Sequence, residues 1–340
     1  MPATDVQLLE VDNLQVRFFL DEGVVHAVNG ATFTLHTGET LGVVGESGCG
    51  KSVMARSILR MVPPPGRIVA GKLLYHRTVG NSRDVVDLTD LDPRGTEMRA
   101  IRGLEISIVF QEPMSSLSPV HTIGEQISEA VYIHRLVSKE EAWLEAVQML
   151  DNVGMPEPAR TMERYPHQLS GGMCQRAMIA MALSSYPDLL IADEPTTALD
   201  VTTEAQILQL MRDLQHRFGT AIMFITHNLG VIAQMTERVV VMYLGRVVED
   251  APVDSLFHNP LHPYTRALLR SIPRLGQKIR GERLASIRGT VPSAYAIPSG
   301  CPFHPRCPEM RPGICDRIEP PWVHADHKQW VRCVLYGDRG

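Results

Sequence analysis

Residues 45–52 read GESGCGKS, a spacing of glycines, lysine and hydroxyl that suits a triphosphate. Gly45, Gly48 and Gly50 permit tight backbone turns, so successive N–H groups, those of Ser47 and Cys49 included, can face phosphate oxygens. Lys51 would reach the β- and γ-phosphates, and the Ser52 hydroxyl would sit on Mg²⁺. A second chemical group closes the apolar run LLIADEP at 189–195. Asp193 at the strand tip suits Mg²⁺ held through water, and Glu194 beside it can polarise an attacking water. A third is LSGGM at 169–173. Ser170, Gly171 and Gly172 open a helix there, so their N–H groups make another anion site.

The elements that must carry these groups can be read from periodicity. TLGVV at 40–44 is a short apolar strand. After the glycine loop, Ala55, Ile58, Leu59 and Val62 recur at helical spacing up to Pro63-Pro64-Pro65. Residues 7–35 alternate around an acidic turn at Asp21-Glu22-Gly23 and predict antiparallel strands. Residues 67–110 add strand candidates ending in ISIVF at 106–110. Residues 121–185 read as mostly helical. Within them Ser138 and Glu141 form a capping box ahead of Trp143, Ala146, Val147, Leu150 and Val153, and Gly154 is the stop. From 186 the pattern is strand, helix, strand: LLIAD, a helix carrying Ile207, Leu210, Met211 and Leu214, then AIMFIT at 221–226. That order predicts a parallel sheet. Residues 274–283 read as a polar linker.

Composition sets bounds. The chain has 340 residues, 44% hydrophobic and 21% charged, with a net charge of −5, so no basic surface for nucleic acid is expected. No apolar run is long enough to span a bilayer, and MPATDVQLLEVDN does not read as a secretory signal. The expectation is a soluble, cytoplasmic protein whose membrane role, if any, comes through a partner. In that reducing compartment its six cysteines are not expected to form disulfides.

With the phosphate loop, LSGGM and LLIADEP in this order, the chain resembles the nucleotide-binding subunits of ABC transporters. The fold this implies is an α/β P-loop NTPase core: a parallel sheet, an antiparallel β subdomain and a helical subdomain at about 112–185. The resemblance assigns further residues. Gln111, after ISIVF, matches the glutamine that senses Mg²⁺, water and the membrane subunit. His227 in AIMFITH matches the switch histidine at the γ-phosphate, and Asp200 in TTALD the aspartate of the dimer-crossing loop. Phe18 stands where the family stacks an aromatic on adenine; an ordinary strand aromatic is the alternative, with Phe19 beside it. No guanine-reading N-K-x-D run occurs, so ATP is the nucleotide expected. The chain departs from the pattern at Met173, where glutamine is usual, at Cys174, where a basic residue is common, and at Asn228, where many members have aspartate.

HNPLHPYTRALLRSIP at 258–273 and PSGCPFHPRCP at 298–308 resemble the oligopeptide/dipeptide/nickel importer subfamily. The resemblance divides the chain into a nucleotide-binding domain, 1–255, and an irregular Cys-rich extension, 256–340. It implies a second, distinct ATPase subunit that meets this one head to tail, two permeases and an external binding protein, at the cytoplasmic face of the membrane. Cargo is carried by other chains; peptides, nickel, oligosaccharides and other solutes all stay open. Two other readings compete: a soluble ABC ATPase not tied to transport, and a redox regulator in which ATP is secondary.

Cys301, Cys307, Cys315 and Cys333 leave five, seven and seventeen residues between neighbours. Four thiols in so short a stretch suggest metal. The spacings fit the tight pairs of a zinc site poorly. The subfamily resemblance implies a [4Fe–4S] cluster; zinc and no metal at all stay open.

Overall fold

The computed structural model describes residues 6–80, 82–197, 199–271, 287–326 and 328–337. The linker expected at 274–283 lies outside them. Two long strands, β1 (Gln7–Leu20) and β2 (Gly23–His36), flank the acidic turn. Strand β3 (Thr40–Val44) runs through the glycine loop into α1 (Lys51–Ile58). Next come β4 (Gly66–Val79), β5 (Ser82–Asp87), α2 (Thr96–Leu104) and β6 (Ile106–Val109). The middle of the chain is helical: α3 (Pro113–Ser116), α4 (Ile123–His134), α5 (Lys139–Asn152), α6 (Pro158–Thr161) and α7 (Gly171–Leu183). Strands and helices then alternate through β7 (Leu189–Asp193), α8 (Val201–Phe218), β8 (Ala221–Ile225), α9 (Leu229–Met235), β9 (Arg238–Tyr243) and β10 (Arg246–Pro252). The last elements are α10 (Val253–His258), α11 (Pro263–Arg270) and a hairpin, β11 (Trp322–Asp326) and β12 (Gln329–Arg332).

The chain forms two compact units. One takes the start of the chain through Leu8, Leu35–Thr40 and Asp90–Ile225; the other takes Leu9–Thr34, Leu41–Thr89 and everything from Thr226 on. In the first, β8, β7 and β6 are neighbours in that order, both pairs parallel, with Leu189 opposite Ala221 and Ile106 opposite Leu189. Strands β7 and β8 are buried along their whole length, which is why they read as unbroken apolar runs. The helices are fixed by their starts. Ser138 accepts from the Glu141 N–H, and the Glu141 carboxylate accepts from the Ser138 N–H at 2.8 Å. Thr122 and Glu125 make the same reciprocal pair on α4. The buried face of α5 is Ala142, Ala146, Met149 and Leu150; of the stripe read in the sequence Ala146, Leu150 and Val153 are buried, while Val147 is half-buried and Trp143 exposed. On α8 Ile207, Met211 and Leu214 are buried as read, joined by Leu208, while Leu210 is half-buried.

In the second unit β3 lies parallel to β9, and β9, β10, β12 and β11 continue antiparallel. A separate antiparallel sheet has the order β2-β1-β4-β5. Helix α1 stops at Ile58, before the prolines, because Arg60 turns into the left-handed region at φ 54°. Among the described residues no helix is long and apolar enough to cross a membrane.

The capping boxes give a pH dependence. The Thr122 and Ser138 backbone N–H groups hold the Glu125 and Glu141 carboxyls below the ordinary glutamate range. A lowered native pKa stabilises fully above the unfolded value and is lost as the pH falls through the native one. Replacing both glutamates with alanine is therefore expected to lower the urea midpoint at about pH 7. The difference should shrink as the pH is taken from about 7 towards 3, read by circular dichroism at each pH.

Candidate functional site

In the second unit the glycine loop leaves β3 with Gly45 buried and its tip, Ser47 and Gly48, exposed. Lys51 is 5% exposed, and its ammonium donates to the carbonyls of Gly45 at 2.8 Å and Glu46 at 3.2 Å. Ser52 follows on the first turn of α1, whose N-cap, Gly50, has φ 99°. Two contacts explain that glycine: the left-handed backbone, and the Ala27 carbonyl oxygen, which would lie 2.1 Å from a Cβ. The Cys49 thiol is buried against Lys51, and burial pushes its pKa up. It packs the loop and presents no side chain to a nucleotide. The Cys49 carbonyl accepts from the Gly245 N–H at 2.9 Å, and the Gly245 carbonyl accepts from the Asn29 N–H at 2.8 Å.

Glu46 is the loop residue that the sequence pattern leaves undefined, and it is the most heavily tied. Its N–H donates to the Tyr264 phenol oxygen at 2.9 Å. Its carboxylate accepts both forks of Arg306, at 2.7 and 3.0 Å. These partners give physical content to the run HPYT. His262 caps α11 by accepting from the Tyr264 N–H, Pro263 takes the first helical position, and Tyr264 is thereby aimed at the loop. The Glu249 carboxylate, itself buried, accepts from the Leu261 and His262 N–H groups at 2.8 and 2.9 Å and from Gln329 at 3.0 Å. Burial pushes Glu249 up and His262 down to about 3, so His262 caps as the neutral ring.

His227 is exposed next to Thr226, whose N–H donates to Val43 at the end of β3. Asn228 caps α9 through the Gly230 N–H at 2.9 Å, a task asparagine performs as well as aspartate. Phe18, half-buried, lies against Gly66, where a Cβ would come within 2.6 Å of its ring. Phe19 is the more exposed, with the Arg67 guanidinium 4.2 Å from its ring centre.

The first unit gathers the acidic groups. Asp193 is 2% exposed at the end of β7. Glu194 follows with φ 50°, and its N–H donates to Ile225 at 2.9 Å. Its carboxylate accepts from the Gln111 amide at 3.1 Å and from the Thr197 hydroxyl at 2.9 Å. The glutamine and the glutamate, 83 positions apart, therefore meet. Ser170 caps α7 by accepting from the Met173 N–H at 3.3 Å, with Gly171 and Gly172 in the first turn. Gly172 leaves no room for a Cβ, since Thr203 would be 2.8 Å away. Cys174 is buried below, where burial raises its pKa. Asp200 caps α8, accepting from the Thr202 and Thr203 N–H groups, and the Thr203 hydroxyl holds its carboxyl below the ordinary range.

Cys301, Cys307, Cys315 and Cys333 line one pocket, with Phe303 and His304. None forms a disulfide. Burial raises the thiols of Cys307 to about 11 and Cys333 to about 12. Among the described residues, no group of three or more histidines, cysteines or acids is arranged to hold a metal ion. The four cysteines thus line a common pocket, as the sequence suggests, but are not arranged there as the ligands of a metal ion.

Comparison with known proteins follows the same lines. Residues 28–197 match the family described as ABC transporter, and residues 248–315 match that described as oligopeptide/dipeptide transporter, C-terminal region. The chain is 51% identical to a probable peptide ABC transporter ATP-binding protein of Sinorhizobium fredii, over 92% of this chain and 90% of that one. It is 45% identical to the dipeptide transport ATP-binding protein DppD of Bacillus subtilis, over 98% and 96%. It is similar in structure to the ATP-binding cassette MJ0796, solved as a dimer after hydrolysis with ADP and Pi. The TM-score is 0.62 at 28% identity, covering 72% of this chain and 99% of that one.

Replacing Gly50 with alanine forces a Cβ against the Ala27 carbonyl and removes the favoured left-handed residue. A loss of at least about 2 kcal/mol is expected, seen as a lower thermal midpoint and weaker protection by Mg·ATP.

Proposed function

Because this chain belongs to the ABC transporter ATP-binding proteins of the oligopeptide/dipeptide type, we propose that it is the ATPase subunit of a peptide importer, driving uptake through partner permeases. The observation that carries this reading is the meeting of Gln111 with Glu194 at the end of the buried strand β7. In the reading, Glu194 orients the attacking water, and the Gln111 amide positions the Glu194 carboxylate. Lys51, the loop N–H groups from Gly45 to Gly50 and His227 stabilise the transferring phosphoryl group. Mg²⁺, held by Ser52, Asp193 and Gln111, would neutralise phosphate charge. Phe18 stacks on adenine.

Ser170, Gly171 and Gly172 face the nucleotide of a second ATPase subunit, and Asp200 lies at that interface. Two permeases and an external binding protein complete the importer, with this chain at the cytoplasmic face of the membrane. The helices after Gln111 offer the permease an apolar surface, since Tyr132, Ile133, Leu136 and Leu144 are all exposed. Mutual closure of the two subunits on ATP, and opening after hydrolysis, is a two-state change biased by the γ-phosphate.

The four-cysteine pocket is assigned to a [4Fe–4S] cluster held by Cys301, Cys307, Cys315 and Cys333. Its support is that four thiols line one pocket; in a cluster each thiolate takes a different iron. The cluster would supply a cross-link to a segment with little regular structure.

Glu194→Gln is expected to lower steady ATP turnover by at least about 100-fold while leaving Mg·ATP binding intact; normal turnover would sink the assignment. For the cysteines, anaerobically purified protein should absorb near 400 nm and contain about four irons per chain. A colourless, iron-free protein removes the cluster and leaves the ATPase reading standing.

A further inference from the structure

The carboxylate of Glu46 is anomalous. It stands in a loop whose other features, the glycine turns, Lys51 and the start of α1, all favour a bound anion. A negative charge there works against a triphosphate. The structure answers it with Arg306, whose side chain is only 4% exposed and reaches Glu46 with both guanidinium nitrogens. A bidentate guanidinium–carboxylate pair fixes direction as well as charge. Arg306 is itself held, its Nε donating to the Arg288 carbonyl at 3.1 Å, and its guanidinium lies 5.9 Å from the Tyr243 ring centre. On the backbone of the same residue, the Glu46 N–H is taken by Tyr264. The Tyr264 ring packs at a tilt against Tyr243, centroids 4.7 Å apart, and against Phe303 at 5.4 Å. Both partners thus come from the C-terminal region, one from α11 and one from the single turn His304–Arg306.

We propose that Tyr264 and Arg306 are positioning residues of the ATP site: they lock Glu46 and cancel its charge, so that the C-terminal extension sets the affinity of the phosphate loop for nucleotide. The proposal rests on the reading that this loop binds ATP. It differs from a purely structural role in one respect. If Arg306 merely propped up the fold, its loss would lower the melting temperature and leave the affinity of the folded protein for nucleotide unchanged.

The test is a double-mutant cycle on the full chain, with binding of Mg²⁺ and the non-hydrolysable β,γ-imido analogue of ATP measured by calorimetry. Arg306→Gln should weaken binding about tenfold, raising KM for ATP while kcat at saturating ATP stays within about twofold. Adding Glu46→Gln to Arg306→Gln should bring the affinity back to within about threefold of the parent, a strongly non-additive result. Tyr264→Phe keeps the ring and removes the oxygen that accepts the Glu46 N–H; it should weaken binding without relief from Glu46→Gln. Circular dichroism and a thermal melt report folding. If Arg306→Gln does not fold, Arg306→Met, which also removes the charge and keeps most of the side-chain length, is judged by the same criterion. Unchanged affinity in a folded Arg306 variant, or a loss that Glu46→Gln fails to relieve, overturns the proposal. Failure of the parent protein to bind the analogue would instead overturn the ATPase reading.

Discussion

The phosphate loop must turn its amides outward to a ligand, so it keeps few of them for itself. Its shape is imposed from outside. The Ala27 carbonyl presses on Gly50, the Gly245 amide holds Cys49, and Tyr264 with Arg306 holds Glu46. Each of these lies far from the loop in sequence. The strand β3 and the helix α1 give the loop its two ends, and those distant contacts give it its course between them. Buried bonds of this kind matter because an amide left unsatisfied costs more than the bond itself is worth.

The carboxylate centre depends on a different constraint. Asp193 and Glu194 are delivered by β7, a strand buried along its whole length, and Glu194 turns sharply into a left-handed backbone. A non-glycine residue in that region is uncommon and costs free energy. Here the turn is held by the Glu194 N–H, which donates to the Ile225 carbonyl, and by the Thr197 hydroxyl, which donates to the carboxylate; together they fix where the carboxylate points. Gln111 reaches it from the end of β6. Rigid strands thus carry the reacting groups, while the caps at Ser170, Asp200 and Asn228 do local work on their own helices.

Much of this was legible from local pattern. The strand, loop and helix around Lys51, the capping box at Ser138 and the buried strands β7 and β8 each follow from a few neighbouring residues. Where packing decides, the sequence was less informative. On α5 Ala146, Leu150 and Val153 are buried as read, but Ala142 and Met149 go in while Trp143 is left outside. Helix α2 carries a break at Arg102 and Gly103, and no clear periodicity marks it. The run HPYT could be read only as a family marker. Its mechanics need the positions of Glu249, which grips its start, and Glu46, which receives its tyrosine. Neither is near it in the chain, and no spacing rule links them.

Glu46 and Arg306 are separated by 260 positions. Their pairing therefore cannot form during synthesis until the chain through Arg306 has left the ribosome. The nucleotide loop waits for a segment made some 260 residues later before its geometry is complete. A nascent or prematurely terminated chain would carry the phosphate-binding sequence without its final shape, and loop-closure entropy makes that last contact a late event in folding.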